Sequence, residues 1–260
     1  MHICLAFAAA VLTRCVRGLE ISMPVIELVS IHKIWDRAPH NAFTDLIRFR
    51  DQFCLTFRSC PDGHSVHPTS SIIVLESDDA RTWRPVHRFR VPKRDTRDPH
   101  FLAFKDRLFV YTGTWYCGGS SPEDYGFNQH LGYASWSTDG RTWSKPTMLE
   151  GTYGHYIWRA AAHNGIAYLC GRRKREFAET PRNIRSDVES AMLESDDGLI
   201  WRKRALFQTT QGNEAAFLFE PDGSVLAVAR FTLDNSQLCR SKPPYSEWDR
   251  TDLHRFIGGP

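Results

Sequence analysis

Apolar and polar positions alternate along most of this chain, in short runs bounded by Gly, Pro, Asn, Asp and Ser, as half-buried β-strands do. The alternation predicts strands at 43–49, 52–58, 70–76 and 84–90, then at 99–104, 107–114, 130–136 and 144–149. A third set falls at 157–162, 166–171, 188–194 and 202–207, and a fourth at 214–219, 224–230 and 237–240. Val25 to Trp35 alternates loosely and reads as a lone strand with no hairpin partner before it. Two long insertions interrupt the pattern. Residues 115–129, with Trp115, Tyr116, Gly118, Gly119, Ser120 and Ser121, read as too polar and Gly-rich for core, and such a loop often shapes a binding mouth. Residues 172–187 carry Arg172, Arg173, Lys174, Arg175, Arg182 and Arg185; they read as a solvated loop or as a patch facing an anionic ligand.

One turn recurs. Ser77 to Trp83, Ser137 to Trp143 and Ser195 to Trp201 share a Ser-x-Asp start and a closing Trp, and the tryptophans stand 60 and 58 residues apart. A fixed period of this size marks a repeat architecture. Ser and Asp side chains can close a turn by bonding nearby backbone amides. Gly140 and Gly198 tolerate positive φ, which Ala80 does not, so the first copy should be strained or use a different turn. The Trp is suited to pack on a neighbouring sheet.

This turn resembles the Asp box of the sialidase-type β-propellers, one residue shorter than the strict form and with Ile200 where Thr is expected. The resemblance implies an all-β, six-bladed sialidase-type β-propeller that is incomplete, with about four blades plus flanking strands. The blades fall at about 41–90, 95–150, 153–207 and 211–250, with the start of a fifth at 253–260. A lone strand at 25–35 would complete the last blade of a ring. The fourth copy of the turn is replaced by Pro243 to Trp248. Four blades and a strand do not close six, so the chain reads as a fragment or truncated product, or as one that self-associates through open propeller edges.

Composition narrows the function. The formal charge of +3 gives no case for nucleic acid. No stretch approaches the roughly 18 apolar residues of a membrane span. The seven cysteines, at 4, 15, 54, 60, 117, 170 and 239, are irregularly spaced and form no metal-ligand motif; reduced buried thiols favour a cytoplasmic setting. No cofactor or metal is expected. Residues 1–22 form an extension, or a weak signal-like segment that would send the protein to secretion; Met23 is the alternative start.

In a propeller the first strands of successive blades line the axis, so motifs at their starts converge. Here these are Phe43-Thr44-Asp45, Arg97-Asp98-Pro99, Trp158-Arg159 and Asn213-Glu214; Asp45, Asp98, Arg159 and Glu214 lie 53, 61 and 55 residues apart. Charged groups at the starts of apolar strands are costly to bury unless paired, so they form either a structural ion network or a ligand site. Antiparallel pairing should bring Arg58 near Asp45 and Arg230 near Glu214, all at one pocket mouth. Asn213-Glu214 through Ala229-Arg230 is also similar to the sialidase segment in which Glu assists a tyrosine nucleophile and Arg binds the sugar carboxylate. That resemblance implies a catalytic role for Glu214 and a substrate contact from Arg230; read as a ligand site, the converging motifs add Asp45 and Asp98 as candidate catalytic carboxyl groups and Arg58, Arg97, Arg159 and Trp158 as candidate substrate contacts. The chain departs from the family at Thr44-Asp45-Leu46 and at Ser70-Ser71-Ile72, where sialidases carry an Arg and the acid/base Asp. Two function classes follow: a sialidase-like glycoside hydrolase acting on exo-linked, acidic or neutral sugars, or a propeller that binds glycan or protein without turnover.

Overall fold

A computed structural model describes residues 27–118, 126–181, 184–231 and 235–257. The strands are β1 (His40–Phe49), β2 (Gln52–Cys60), β3 (Ser71–Ser77), β4 (Arg84–Phe89), β5 (Arg94–Phe104), β6 (Arg107–Tyr116), β7 (Tyr133–Ser137) and β8 (Thr147–Met148). They continue with β9 (Tyr156–His163), β10 (Ile166–Lys174), β11 (Val188–Ser195), β12 (Arg202–Gln208), β13 (Gly212–Phe219), β14 (Val225–Phe231), β15 (Gln237–Ser241) and β16 (Asp249–Asp252). They form four antiparallel four-stranded sheets, each in chain order from the first strand to the fourth. Strand β1 touches β5, β5 touches β9 and β9 touches β13, so the first strands gather at the axis. The fold is therefore four blades of a β-propeller, with apolar side chains packed where blades face one another. One cluster joins blades one and two through Ile72, Val74, Phe101 and Val110; another joins blades two and three through Tyr111, Leu149, Leu169 and Trp201. Among the described residues no helix is long and apolar enough to cross a membrane.

The repeated turn does what its residues predict. Asp139 Oδ1 accepts from the N–H groups of Arg141 and Thr142 at 2.8 and 2.7 Å, and the Ser137 hydroxyl bonds Asp139 Oδ1 at 2.8 Å. The copies at Asp79 and Asp197 repeat these bonds. The Thr82 and Arg81 amides hold the Asp79 carboxyl down at about 2. Ala80 takes the same turn as the glycines, at a φ of 57° against 80° for Gly140 and 82° for Gly198. Strain, rather than another turn type, is the outcome at the first copy. Trp83 packs on the Leu55, Phe57, Ile73 and Leu75 cluster of its own blade, whereas the next two pack on the preceding blade. Trp143 stacks on His87 of β4 with centroids 5.1 Å apart, and Trp201 meets Tyr111 of β6 edge-on at 5.5 Å. Blade four lacks the Ser-x-Asp start but keeps the geometry: Tyr245 has a φ of 63°, and Trp248 Nε1 bonds the Tyr245 carbonyl and meets Phe207 at 5.1 Å.

Four sequence expectations need correction. Residues 27–36 hold no strand; Ile34 and Trp35 pack on Leu55, Phe57 and Ile73 of blade one instead. Trp115 and Tyr116 belong to β6, and Trp115 is buried core rather than loop, while 119–125 lie outside the described residues. Arg172, Arg173 and Lys174 end β10 rather than starting a loop, because their backbones continue the pairing with Ser190, Glu189 and Val188. The fourth strand of blade four is β16, an exposed Asp-Arg-Thr-Asp with no apolar alternation to betray it, and residues 253–257 hold no strand. Strand β8 is only two residues long; Pro146, just before it, has no N–H for a ladder.

The glycines of the turn differ in surroundings, which sets an expected order of stability. An added Cβ at Gly140 would meet nothing closer than Phe49 at 3.9 Å, whereas at Gly198 it would meet the Tyr111 hydroxyl at 2.8 Å and Phe109 at 3.0 Å. Gly140→Ala should cost about 1 kcal/mol from φ strain alone, Gly198→Ala about 2–3 kcal/mol because overpacking adds, and Ala80→Gly should gain a few tenths. Denaturant melts check this, and a Gly198→Ala no worse than Gly140→Ala would contradict the packing of Tyr111 against the turn.

Candidate active site

A strand in regular register sends its side chains to the two faces of its sheet. Each first strand here breaks register once, near its start. The breaks fall between Ala42 and Asp45 on β1, between Arg97 and His100 on β5, at Arg159 on β9, and between Gly212 and Ala215 on β13. They are β-bulges, which bend a strand and re-aim the extra residues. Three bulge residues have positive φ: Phe43 at 60°, Asp98 at 50° and Arg159 at 30°. Such strain persists only where surrounding structure enforces it, and it clusters at ligand sites.

The bulges open on one cavity of about 660 Å³. Phe43, Thr44, Asp98, Arg159 and Glu214 reach it from the bulges, Arg97, His100 and Trp158 from beside them. His64, Trp115, Tyr156, Arg172 and Arg230 complete the lining. Asp98, Glu214, Arg97, Arg159, Arg230 and Trp158 are therefore brought together as their spacing predicts. Glu214 Oε2 lies 3.0 Å from Arg230 Nη1, with both side chains about 30% exposed. The Asp98 carboxylate accepts from the Tyr156 hydroxyl. Burial raises the Asp98 carboxyl above the ordinary Asp value, although Arg97 and Tyr156 oppose the shift. Burial also raises the Tyr156 phenol well above its ordinary value, and Asp98 adds to this. Trp158 donates its Nε1–H to the Ala215 carbonyl at 2.8 Å, tying blade three to blade four.

Two predicted members are placed elsewhere. Asp45 faces a smaller depression beside the cavity; its Oδ2 accepts from the Phe101 amide at 2.8 Å and its Oδ1 lies 3.7 Å from Arg159 Nη1. It ties blades one, two and three. Arg58 is fully buried and lies not against Asp45 but against Asp95, at 3.1 Å, with further bonds to the Gly63 and Ser65 carbonyls. Its register partner is Ala42, on the far side of the β1 bulge from Asp45, and the bulge separates the two. Arg97 shares Asp95 through its Nε at 2.7 Å and also bonds the His64 and Ser65 carbonyls. Arginine only donates, so His40 Nδ1, 2.7 Å from Arg58 Nη1, is an acceptor; His40 Nε2 lies 3.0 Å from His64 Nδ1. Burial first, then Arg58, lowers His40 to about 4.

Sequence reasoning missed Asp95, His64, His100, Tyr156 and Arg172. Asp95 stands one strand step from Arg97, and Tyr156 stands at the start of β9, positions where the blade count already pointed. In the sequence Arg172 is indistinguishable from its basic neighbours. Those are spent on local contacts: Arg173 pairs with Glu189 at 2.7 Å, Lys174 bonds the Thr180 hydroxyl at 2.8 Å, and Arg175 bonds the Thr209 carbonyl at 2.9 Å. Arg182 lies outside the described residues. Among the described residues no group of three or more His, Cys, Asp or Glu side chains could hold a metal ion, and Cys54, Cys60, Cys117, Cys170 and Cys239 are buried free thiols.

Comparison of the fold with solved structures gives similarity to a Trypanosoma rangeli sialidase in complex with sialic acid, at 13% identity and a TM-score of 0.63, over 85% of this chain and 38% of that one. A family 117 glycoside hydrolase, Zg3597 from Zobellia galactanivorans, matches at 13% identity and 0.58, over 84% of this chain and 76% of that one. A Penicillium chrysogenum α-L-arabinanase complexed with arabinobiose matches at 15% identity and 0.58, over 83% and 66%. The chain thus spans well under half of the sialidase. No protein-family profile and no curated protein sequence matches it. The likeness is one of fold: an incomplete sialidase-type propeller of the kind glycoside hydrolases use.

The buried charges make stability sensitive to two changes. Asp95→Asn leaves Arg58 and Arg97 without their shared carboxylate and should cost about 3–5 kcal/mol in a denaturant melt. Neutral His40, buried, and His87, half-buried, both lowered to about 4, bind protons more readily unfolded than folded. Their contribution is complete above the ordinary His value of 6.5 and is lost as pH falls from there through about 4. Melting temperature should drop across that window, and His87→Phe should flatten the drop; an unchanged slope would place the acid sensitivity elsewhere.

Proposed function

On a scaffold of the kind used by sialidases, arabinanases and family 117 hydrolases, we propose that this cavity hydrolyses a glycosidic bond at the end of a glycan, with Asp98 and Glu214 as the working carboxyl groups. The observation that carries the reading is their placement: two carboxyl groups from bulges on β5 and β13 face one cavity and are held in different environments. Glycoside hydrolysis asks for such a pair, one group protonated to release the leaving oxygen and the other acting on the opposite side of the sugar ring. Asp98 is the acid, since burial favours its neutral form and the Tyr156 hydroxyl fixes one of its oxygens. Glu214, oriented by Arg230, acts as nucleophile or as the base that activates water. Trp115, Trp158 and Phe43 supply the apolar walls on which a sugar ring can stack.

The arginines of the lining favour an acidic sugar. Sialic acid bound to the similar sialidase supports that choice, and the arabinobiose bound to the similar arabinanase keeps neutral pentosides in the assay. A second reading, sugar binding without turnover, is favoured by the commitment of Glu214 to Arg230 and of Asp98 to Tyr156.

Release of aryl alcohol from a panel of aryl sialosides, uronides and arabinofuranosides tests the proposal. Asp98→Asn and Glu214→Gln should each lower kcat by about 10²–10⁴. With Asp98 as general acid, activity should fall as pH rises through its raised pKa, and this limb should vanish in Asp98→Asn. Equal background from wild type and both variants, together with retained sugar binding, would leave the second reading.

A further inference from the structure

The arginines of the cavity are not equally spent. Arg97 shares the Asp95 carboxylate with Arg58, Arg159 lies 3.7 Å from Asp45 Oδ1, and Arg230 lies 3.0 Å from Glu214 Oε2, although its own buried Nε has no acceptor. Arg58, the remaining arginine expected here from the sequence, is sealed against Asp95. Arg172 has no carboxylate partner among the described residues. Its Nη1 donates to the amide oxygen of Asn213, which is uncharged, and its buried Nε has no acceptor. Its guanidinium carbon lies 5.3, 5.5 and 6.0 Å from the ring centroids of Phe127, Tyr156 and Trp158.

Such a set of rings attracts a cation but accepts no conventional N–H hydrogen bond in the plane of the guanidinium fork. It places the side chain and leaves both its charge and one donor unmet. Buried donors without acceptors are uncommon. A ligand carboxylate approaching Arg159 or Arg230 would share that arginine with Asp45 or Glu214 and meet like-charge repulsion. At Arg172 it would meet an uncompensated cation whose planar fork matches two carboxylate oxygens. We propose that Arg172 is the specificity-determining residue of this cavity and reads a carboxylate on the ligand, an assignment that rests on the cavity being a sugar site. The three paired arginines then shape and orient the protein's own carboxyl groups. Asn213 links the two tasks, because its Oδ1 also accepts from the Glu214 amide at 3.0 Å.

The test uses sugars that differ in the relevant group. Methyl glucuronide and methyl glucoside differ only at C6, and sialic acid adds a second acid. Trp158 and Trp115 line the cavity and report binding by fluorescence. Wild type should bind at least one of the acids about tenfold or more tighter than the neutral sugar, the scale of one charge-assisted contact. Arg172→Gln keeps a donor for Asn213 and should bring the ratio close to one, with little change for the neutral sugar. Arg172→Lys, which keeps the charge without the fork, should retain part of the preference, and this variant serves if the Gln protein does not fold. Equal affinities in wild type, no binding of either acid, or a preference that survives in Arg172→Gln would overturn the assignment. A preference lost with Arg172 but unaccompanied by turnover of any glycoside would remove only the hydrolase reading.

Discussion

Everything this molecule presents along its axis depends on breaking the β-ladder once per blade. A first strand must stay paired along its length to belong to its sheet, yet in register its side chains go to the blade faces, where they meet other blades. The bulges at Phe43-Thr44, Asp98-Pro99, Arg159 and Asn213-Glu214 resolve this conflict at equivalent places. Each gives up local pairing, and three hold a non-glycine residue at positive φ. The return is a cavity whose wall is charged although the strands on either side of it are apolar.

The second constraint is electrostatic. Arginines crowd the inner ends of the blades, and burying them requires partners. Asp95 serves Arg58 and Arg97 together, and Asp45 serves Arg159 while also capping the Phe101 amide. These carboxylates are structural: they fasten blade to blade and settle the charge of the wall. Asp98 is treated differently. It sits on the bulge beside Arg97 but is desolvated, and burial holds its proton more tightly although Arg97 and the Tyr156 hydroxyl pull the other way. Neighbouring carboxyl groups on one strand thus have different environments, because Asp95 is enclosed by guanidinium groups and Asp98 is turned by the bulge toward the cavity.

The repeated turn supplies the rigidity that such a wall requires. Its Trp packs on the preceding blade at Trp143, Trp201 and, in altered form, Trp248. Blade three gives up one standard bond of the turn. The Gly198 carbonyl, which would receive the Trp Nε1–H, receives the Tyr111 hydroxyl instead, and Trp201 Nε1 has no partner. Contact between blades there replaces contact within the turn.

The strand order, the blade period and the convergence of Asp98, Arg159 and Glu214 were legible in the sequence, because each depends on local pattern: period-two alternation, Ser-x-Asp turns, and a spacing that repeats. The Glu214–Arg230 pair was legible as well, since antiparallel register is local to one hairpin. What no local pattern carried is which charge meets which. Arg58 looked equivalent to Arg230, both ending a second strand, yet the path of the chain beyond β2 brings the Gly63 and Ser65 carbonyls, and β5 brings Asp95, to enclose it. Arg172 looked like one of a basic run, yet the continuation of β10 carries it onto three rings from two separate segments while its neighbours find partners nearby. Local sequence determined where the charged groups begin their approach to the axis. Tertiary structure decided which of them meet a carboxylate and which, among the described residues, does not, because pairing depends on distances between blades that no single blade encodes.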